Sequence, residues 1–173
     1  MGMLRLFAAV PLSVEVVRNL RAVLPLARAQ APGIKWVDPD NTHITVKFFG
    51  DTPEERVPHL ERLLAEAAAE LAQFDITVKG IGAFPSASRP RVVWAGIAQG
   101  RDELWRLAEL VHATTVGAGF GGPDDGGRFS PHVTLGRVRR DVVGDVAIPP
   151  ALAAEGGREW GSVMVGSVAL YSS

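Results

Sequence analysis

Among its 173 residues the chain has no cysteine, one tyrosine, and three lysines beside fifteen arginines. The missing cysteines exclude disulfides and cysteine-ligated zinc, and they fit a reducing, cytoplasmic setting. A formal net charge of -1 gives no overall attraction to nucleic acid or to an anionic membrane. Recognition of a phosphate must then be local, which argues against a protein that coats RNA. The arginine excess does not by itself name a partner. Nowhere do about 18 apolar residues follow one another, so no membrane span is expected. The apolar stretch 6–10 behind Arg5 imitates a short leader, but Pro11 interrupts it, Glu15 and Arg18 follow, and no small-residue cleavage site is in place. It reads as a first strand.

The length suits one domain, or two small lobes sharing a core. Residues 3–10 predict a buried strand. Ser13 as N-cap, Glu15 in the first turn and Val17, Leu20 and Leu24 at helical spacing predict a helix that Pro25 kinks or ends. Residues 31–41 read as loop with a short edge strand around Trp36, and 43–49 as a strand closed by Gly50 and Asp51. Thr52-Pro53-Glu54-Glu55 predicts a capped start to a second helix, with Leu60, Leu63, Leu64, Ala67, Ala68 and Leu71 as its buried stripe. Phe74, Ile76 and Val78 alternate with polar residues as in a half-buried strand, "FPSASRP" is a turn, and 91–98 is another strand. A third helix is expected over 102–116 with Leu104, Leu107, Ala108 and Val111 inward. "GAGFGGPDDGG" is too glycine-rich for regular structure and reads as a mobile loop. A strand over 132–139, a connector "DVAIPPALAAEGGREWG" and a last strand over 162–171 complete the chain. Helices interleave with adjacent strands that suit hairpins, which indicates an α+β fold.

Against this background two segments stand out, "NTHITVKFFG" and "SPHVTLGRVR". Both carry His-x-Thr at the start of an apolar run, and random scatter of four histidines and seven threonines would give about 0.16 such triplets. The triplets lie 89 residues apart, about half the chain, as if two related lobes each gave one strand to a shared cleft. On a strand, residues i and i+2 share a face. His43 and Thr45 would project together, as would His132 and Thr134, with Ile44, Val46 and Phe48, and Val133 and Leu135, turned to the core. Two imidazoles can serve as base and acid near neutral pH, and threonine hydroxyls can donate to phosphoryl oxygens, so the set suits phosphodiester cleavage without a metal. Zinc is the competing reading of two histidines, but neither triplet has a carboxylate at ligand spacing. His59 and His112, in helical stretches, read as ordinary helix residues. Structural strand starters are the bland alternative for each triplet alone, and the doubling weighs against it.

The two motifs resemble those of the 2H phosphoesterase superfamily, and the chain is most similar to its RNA 2′,3′-cyclic phosphodiesterases, the 2′-5′ RNA ligase family. "LRLFAAVPL", "IKWVDPDNTHITVKFFGD", "GIGAFPSASRPRVVWAGI", "RFSPHVTLGRVR" and "VALYSS" match that family's blocks in order. The resemblance implies a bilobal α+β 2H phosphoesterase fold, two pseudo-symmetric lobes of antiparallel strands and helices around a central groove, with residues 1–173 as one domain. Each lobe would contribute one motif, at 43–46 and 132–135. It implies hydrolysis of RNA 2′,3′-cyclic phosphate ends to 2′-phosphomonoesters, with no cofactor, no metal and no obligate protein partner, and with weak reversible 2′-5′ ligation. By the same resemblance His43 is the proton donor, His132 the proton acceptor, and Thr45, Thr134 and Arg137 contact the phosphate. The residues themselves do not decide which histidine is the acid. Arg137 lies on the wrong face of a regular strand, and a bulge at Gly136 would bring it round; a solvated face shared with Arg139 and Arg140 is the alternative. Arg5 and Phe7 share a face of the first strand, where Phe7 either packs the core or offers a stacking surface. The family continues past its last strand, whereas this sequence stops at Ser173, so the groove's last edge is left to the tertiary structure. A phosphodiesterase for small cyclic nucleotides and a noncatalytic nucleotide-binding module are the alternatives.

Overall fold

The structure is a computed structural model, describing residues 2–122 and 128–173. Strand β1 (Met3–Pro11) leads to helix α1 (Val14–Gln30), where the Ser13 hydroxyl accepts from the Val16 N–H at 3.3 Å, as the capping pattern requires. Pro25 neither ends nor shortens α1. Pro25 and Arg21, whose carbonyl loses its helical donor, both lie on the exposed face, where water can replace the bond. Next come β2 (Ile34–Trp36), a 3-10 turn at Pro39–Asn41, and β3 (His43–Pro53). The chain continues through α2 (Val57–Ala69), β4 (Phe74–Pro85), β5 (Pro90–Ile97), α3 (Arg101–Gly117) and β6 (Val133–Val138). A short helix α4 (Pro150–Ala153), then β7 (Glu159–Val165) and β8 (Ala169–Ser172), end it.

The strands form one antiparallel sheet in the order β7-β4-β5-β6-β3-β1-β8, with β2 paired to β6 off that path. The strand expected over 162–171 is in fact two, β7 and β8, which lie at opposite ends of the order. In a flat sheet six gaps of about 4.8 Å would hold those ends roughly 29 Å apart. The link from Val165 to Ala169 reaches only about 14 Å. The sheet must therefore curl until its ends approach, which hollows one face into a groove. The helices cover the other face and exchange places: α1, from the first half, packs on β7, and α3, from the second half, lies against β3. This is the bilobal α+β arrangement.

Several local expectations change. Thr52 does not cap α2: it is a buried residue of β3 whose hydroxyl donates to the Gly50 carbonyl at 3.2 Å, and α2 begins after a 3-10 turn at Glu54–Arg56. Leu60, Leu63, Leu64 and Ala67 are buried as the stripe predicts, with Ala68 and Leu71 at its margin. The connector is partly core, because Leu152 and Trp160 are fully buried and the Trp160 indole N–H donates to the Gly80 carbonyl at 3.2 Å. Part of the expected glycine-rich loop, 123–127, lies outside the described residues. Its first part is anchored: Phe120 is buried, and the Arg56 guanidinium sits 3.8 Å from its ring centre.

Candidate active site

Strands β3 and β6 meet through the pair Ile44 and Val133, each the residue after a motif histidine and each fully buried. Their neighbours turn the other way. The antiparallel register sets His43 across from Thr134 and Thr45 across from His132, so the four groups stand at the corners of one patch with the histidines on a diagonal. Diagonal neighbours of this kind are roughly 7–8 Å apart, a span that holds one phosphate between two rings. All four are half-buried.

Both rings are oriented in the same way. His43 Nδ1 lies 2.8 Å from the carbonyl oxygen of Asn41, and His132 Nδ1 lies 2.8 Å from that of Ser130. A carbonyl only accepts, so Nδ1 carries a hydrogen in each ring and Nε2 is the nitrogen left for proton transfer. The carbonyls are held in position by the chain before each strand. Asn41 ends the 3-10 turn that Asp38 caps, and Pro131, with its constrained φ, follows Ser130. Burial pushes both imidazoles below their ordinary value near 6.5, against the opposing pull of these carbonyls. On His132 the positive charges of Arg137 and His43 push further in that direction.

Arg137 reaches this side of the sheet through a bulge. Trp94 pairs with Thr134 and Val93 with Gly136, so Leu135 is an extra residue, and Arg137 returns to the face of Thr134. Gly136 also lets β2 close on β6, since a Cβ there would lie 2.6 Å from Ile34 Cγ2 and 3.2 Å from the Lys35 carbonyl oxygen. A second irregularity corrects the expected core face of β3. The register passes from Ala9 and Thr45 to Ala8 and Lys47, skipping Val46, so the alternation shifts. Phe48 is 37% exposed, and Phe49 takes the inward place at 6%.

Three aromatic residues border the histidines: Phe7, weighed above as core or stacking surface, and Tyr171 and Phe84, which the sequence did not single out. Phe7 is buried with its ring centre 4.9 Å from that of His43, and Tyr171 stacks on both at 5.4 Å and 5.8 Å. On the other lobe Phe84 meets His132 edge-on at 5.0 Å and is itself backed by Trp94 at 5.2 Å. Tyr171 lies on β8, which pairs with β1. No periodicity marks Tyr171 or Phe84, because their partners come from strands far away in sequence. His59 packs against Phe120, and His112 approaches Lys47 Nζ at 3.4 Å from α3. No group of three or more His, Cys, Asp or Glu among the described residues is placed to hold a metal ion. No described helix is long and apolar enough to cross a membrane.

A sheet curled around paired His-x-Thr strands defines the 2H phosphoesterase class. The profile of the family described as LigT like Phosphoesterase matches residues 10–94. The chain is 36% identical over 137 residues to the RNA 2′,3′-cyclic phosphodiesterase of Archaeoglobus fulgidus, covering 79% of this chain and 74% of that protein. It is 37% identical over 142 residues to the enzyme of the same name from Aeropyrum pernix, covering 81% and 77%. The crystal structure of E. coli LigT complexed with 3′-AMP superposes with a TM-score of 0.70 at 27% identity, covering 99% of this chain and 88% of that one. The chain belongs to the LigT-like phosphoesterases, a family of hydrolytic enzymes.

Proposed function

We propose that the protein hydrolyses RNA ends bearing a 2′,3′-cyclic phosphate to 2′-phosphomonoesters, without a metal, by paired-histidine acid–base catalysis. The observation that carries this reading is the matched tethering of the two imidazoles, each with Nδ1–H donated to a carbonyl at 2.8 Å and Nε2 available. His132 Nε2 takes a proton from water as the water oxygen bonds to phosphorus. The bond from phosphorus to the 3′ oxygen breaks, and His43 Nε2–H gives that oxygen its proton. One P–O bond forms, one breaks, and the product carries a 2′-phosphate and a 3′-hydroxyl. Thr45 and Thr134 donate to nonbridging oxygens, with Arg137 as a charged contact. Charge supports this division of roles: burial favours the neutral form of both rings, and Arg137 adds to it at His132, the ring assigned as base.

With a 5′-hydroxyl in the place of water the same groups support weak 2′-5′ ligation: its oxygen bonds to phosphorus, the bond to the 3′ oxygen breaks, and the reaction is reversible by the same acid and base in exchanged roles. Residues 1–173 act as one domain, each lobe supplying one motif, in the cytoplasm, as the absence of cysteine suggests.

The test is turnover of a short RNA ending in a 2′,3′-cyclic phosphate, in EDTA, by the wild type, His43→Ala and His132→Ala. We expect a 2′-phosphate product and a loss of about 10²–10⁴-fold in each variant, with the circular dichroism spectrum retained. Turnover that needs a divalent ion, or that survives both substitutions, would sink the mechanism. Binding of the RNA without turnover would reduce the protein to a nucleotide-binding module.

A further inference from the structure

Beside the histidines a groove of about 810 Å³ opens between β3 and α3, and Thr45 and His132 form part of its wall. A hollow of about 330 Å³ continues it toward the start of α3, and Trp105, Arg128, Phe129 and Ser130 border both. One cyclic phosphate held between two histidines and two threonines does not fill this space. Its lining is unusual for a solvent-facing surface. Phe48 and Trp105 are the only two aromatic residues among the exposed large hydrophobics of the described chain, at 37% and 45%, and both face this groove together with half-buried Phe129. Exposed aromatic rings gathered in one place mark a binding surface. Arg128 brings an exposed positive charge to the same wall, and the buried Lys47, held against His112, adds a second behind it, against the one carboxylate of Glu109, although the chain as a whole is slightly negative.

Exposed aromatic rings, an exposed arginine in the same lining, and direct continuity with a phosphodiester site are what a single-stranded nucleic acid needs: bases stack, and phosphates pair with the cation. Resting on the phosphodiesterase reading above, we propose that this groove binds the nucleotide adjoining the cyclic end. Its base stacks on Trp105 and its phosphate meets Arg128, so the preferred substrate is an oligonucleotide, not a mononucleotide. The choice of Trp105 as the platform follows from its exposure and from its place where the two hollows join.

The experiment compares kcat/KM for a dinucleotide ending in a 2′,3′-cyclic phosphate with that for the mononucleoside 2′,3′-cyclic phosphate, in wild type, Trp105→Ala, Trp105→Phe and Arg128→Gln. The wild type should prefer the dinucleotide by about tenfold or more, Trp105→Ala should remove most of that preference, and Trp105→Phe should keep it. Arg128→Gln should lower the preference and flatten its dependence on salt. Equal kcat/KM for the two substrates in the wild type, or a preference unmoved by Trp105→Ala, overturns the proposal while leaving the hydrolytic reading intact. Calorimetric binding of the dinucleotide and mononucleotide that end in a 2′-phosphate gives a readout without turnover. Tighter binding of the dinucleotide that Trp105→Ala abolishes supports the groove even if neither cyclic phosphate is hydrolysed, and the failure then belongs to the hydrolytic reading. Equal binding of the two overturns the groove.

Discussion

Ile44 and Val133 pair across the seam between β3 and β6, and neither exposes any surface to solvent. This contact sets the site. A slip of one residue in either strand would drive a histidine into the core and an aliphatic side chain into the groove, so the burial of these two residues specifies the register that brings the motifs together.

The pH dependence of the reaction should carry the signature of Arg137. The rising limb of kcat/KM reports loss of the proton from the base and the falling limb loss of the proton from the acid. Both imidazoles lie below 6.5, so the optimum is expected on the acid side of that value. Arg137→Gln removes a charge that lowers His132, so the rising limb should move to higher pH with little change in the falling limb. A rising limb that stays in place would show that His132 is not the base.

Stability should respond to the same two rings. Their folded-state values lie below the unfolded value near 6.5, so the unfolded chain binds more protons as pH falls through this range. Their contribution is therefore complete above 6.5 and is lost as pH drops toward the folded-state values. Urea unfolding of the wild type and of the His43→Gln/His132→Gln double variant, from about pH 7 to about pH 5, should show the wild type losing more stability than the variant. A gap that holds steady or moves the other way would contradict the assigned direction.

Gly136→Ala should loosen the junction of β2 and β6. Its Cβ would lie 2.6 Å from Ile34 Cγ2, 2.9 Å from the Trp36 ring and 3.2 Å from the Lys35 carbonyl oxygen, and the last cannot rotate away. We expect a loss of about 1–3 kcal/mol in urea unfolding. Because Arg137 pairs with Lys35 beside this junction, KM for the cyclic phosphate should rise as well.

Gly82→Ala tests whether the packing behind His132 matters to the chemistry. A Cβ at Gly82 would come within 2.2 Å of the Trp94 ring, which backs Phe84, which in turn meets His132. We expect kcat to fall about ten- to a hundredfold with a smaller change in KM. Adding Trp94→Phe should restore much of it, since the smaller ring makes room and the Trp94 indole N–H is buried without a hydrogen-bond partner. A kcat untouched by Gly82→Ala would remove Trp94 and Phe84 from any positioning role.

Much of this protein was legible in one dimension. Helix starts such as Ser13, the buried stripe of α2 and the four motif residues depend on local spacing, which a strand or helix converts directly into a shared face. The doubled His-x-Thr pattern belongs to the same class of information, and so do the family blocks around it. What spacing could not contain is the exception to spacing. The bulge at Leu135 turns Arg137 to the groove and the one at Val46 turns Phe48 outward, because the partner strand skips a residue there. Nor could it separate β7 from β8, or bring Tyr171 onto His43 and Phe84 onto His132. Those contacts exist because the sheet curls until its two ends approach, and curvature is a property of all the strands together. The sequence by itself determined which histidines and threonines share a face; the tertiary structure decided which walls enclose them, because neighbours across a curled sheet are chosen by strand pairing and not by distance along the chain.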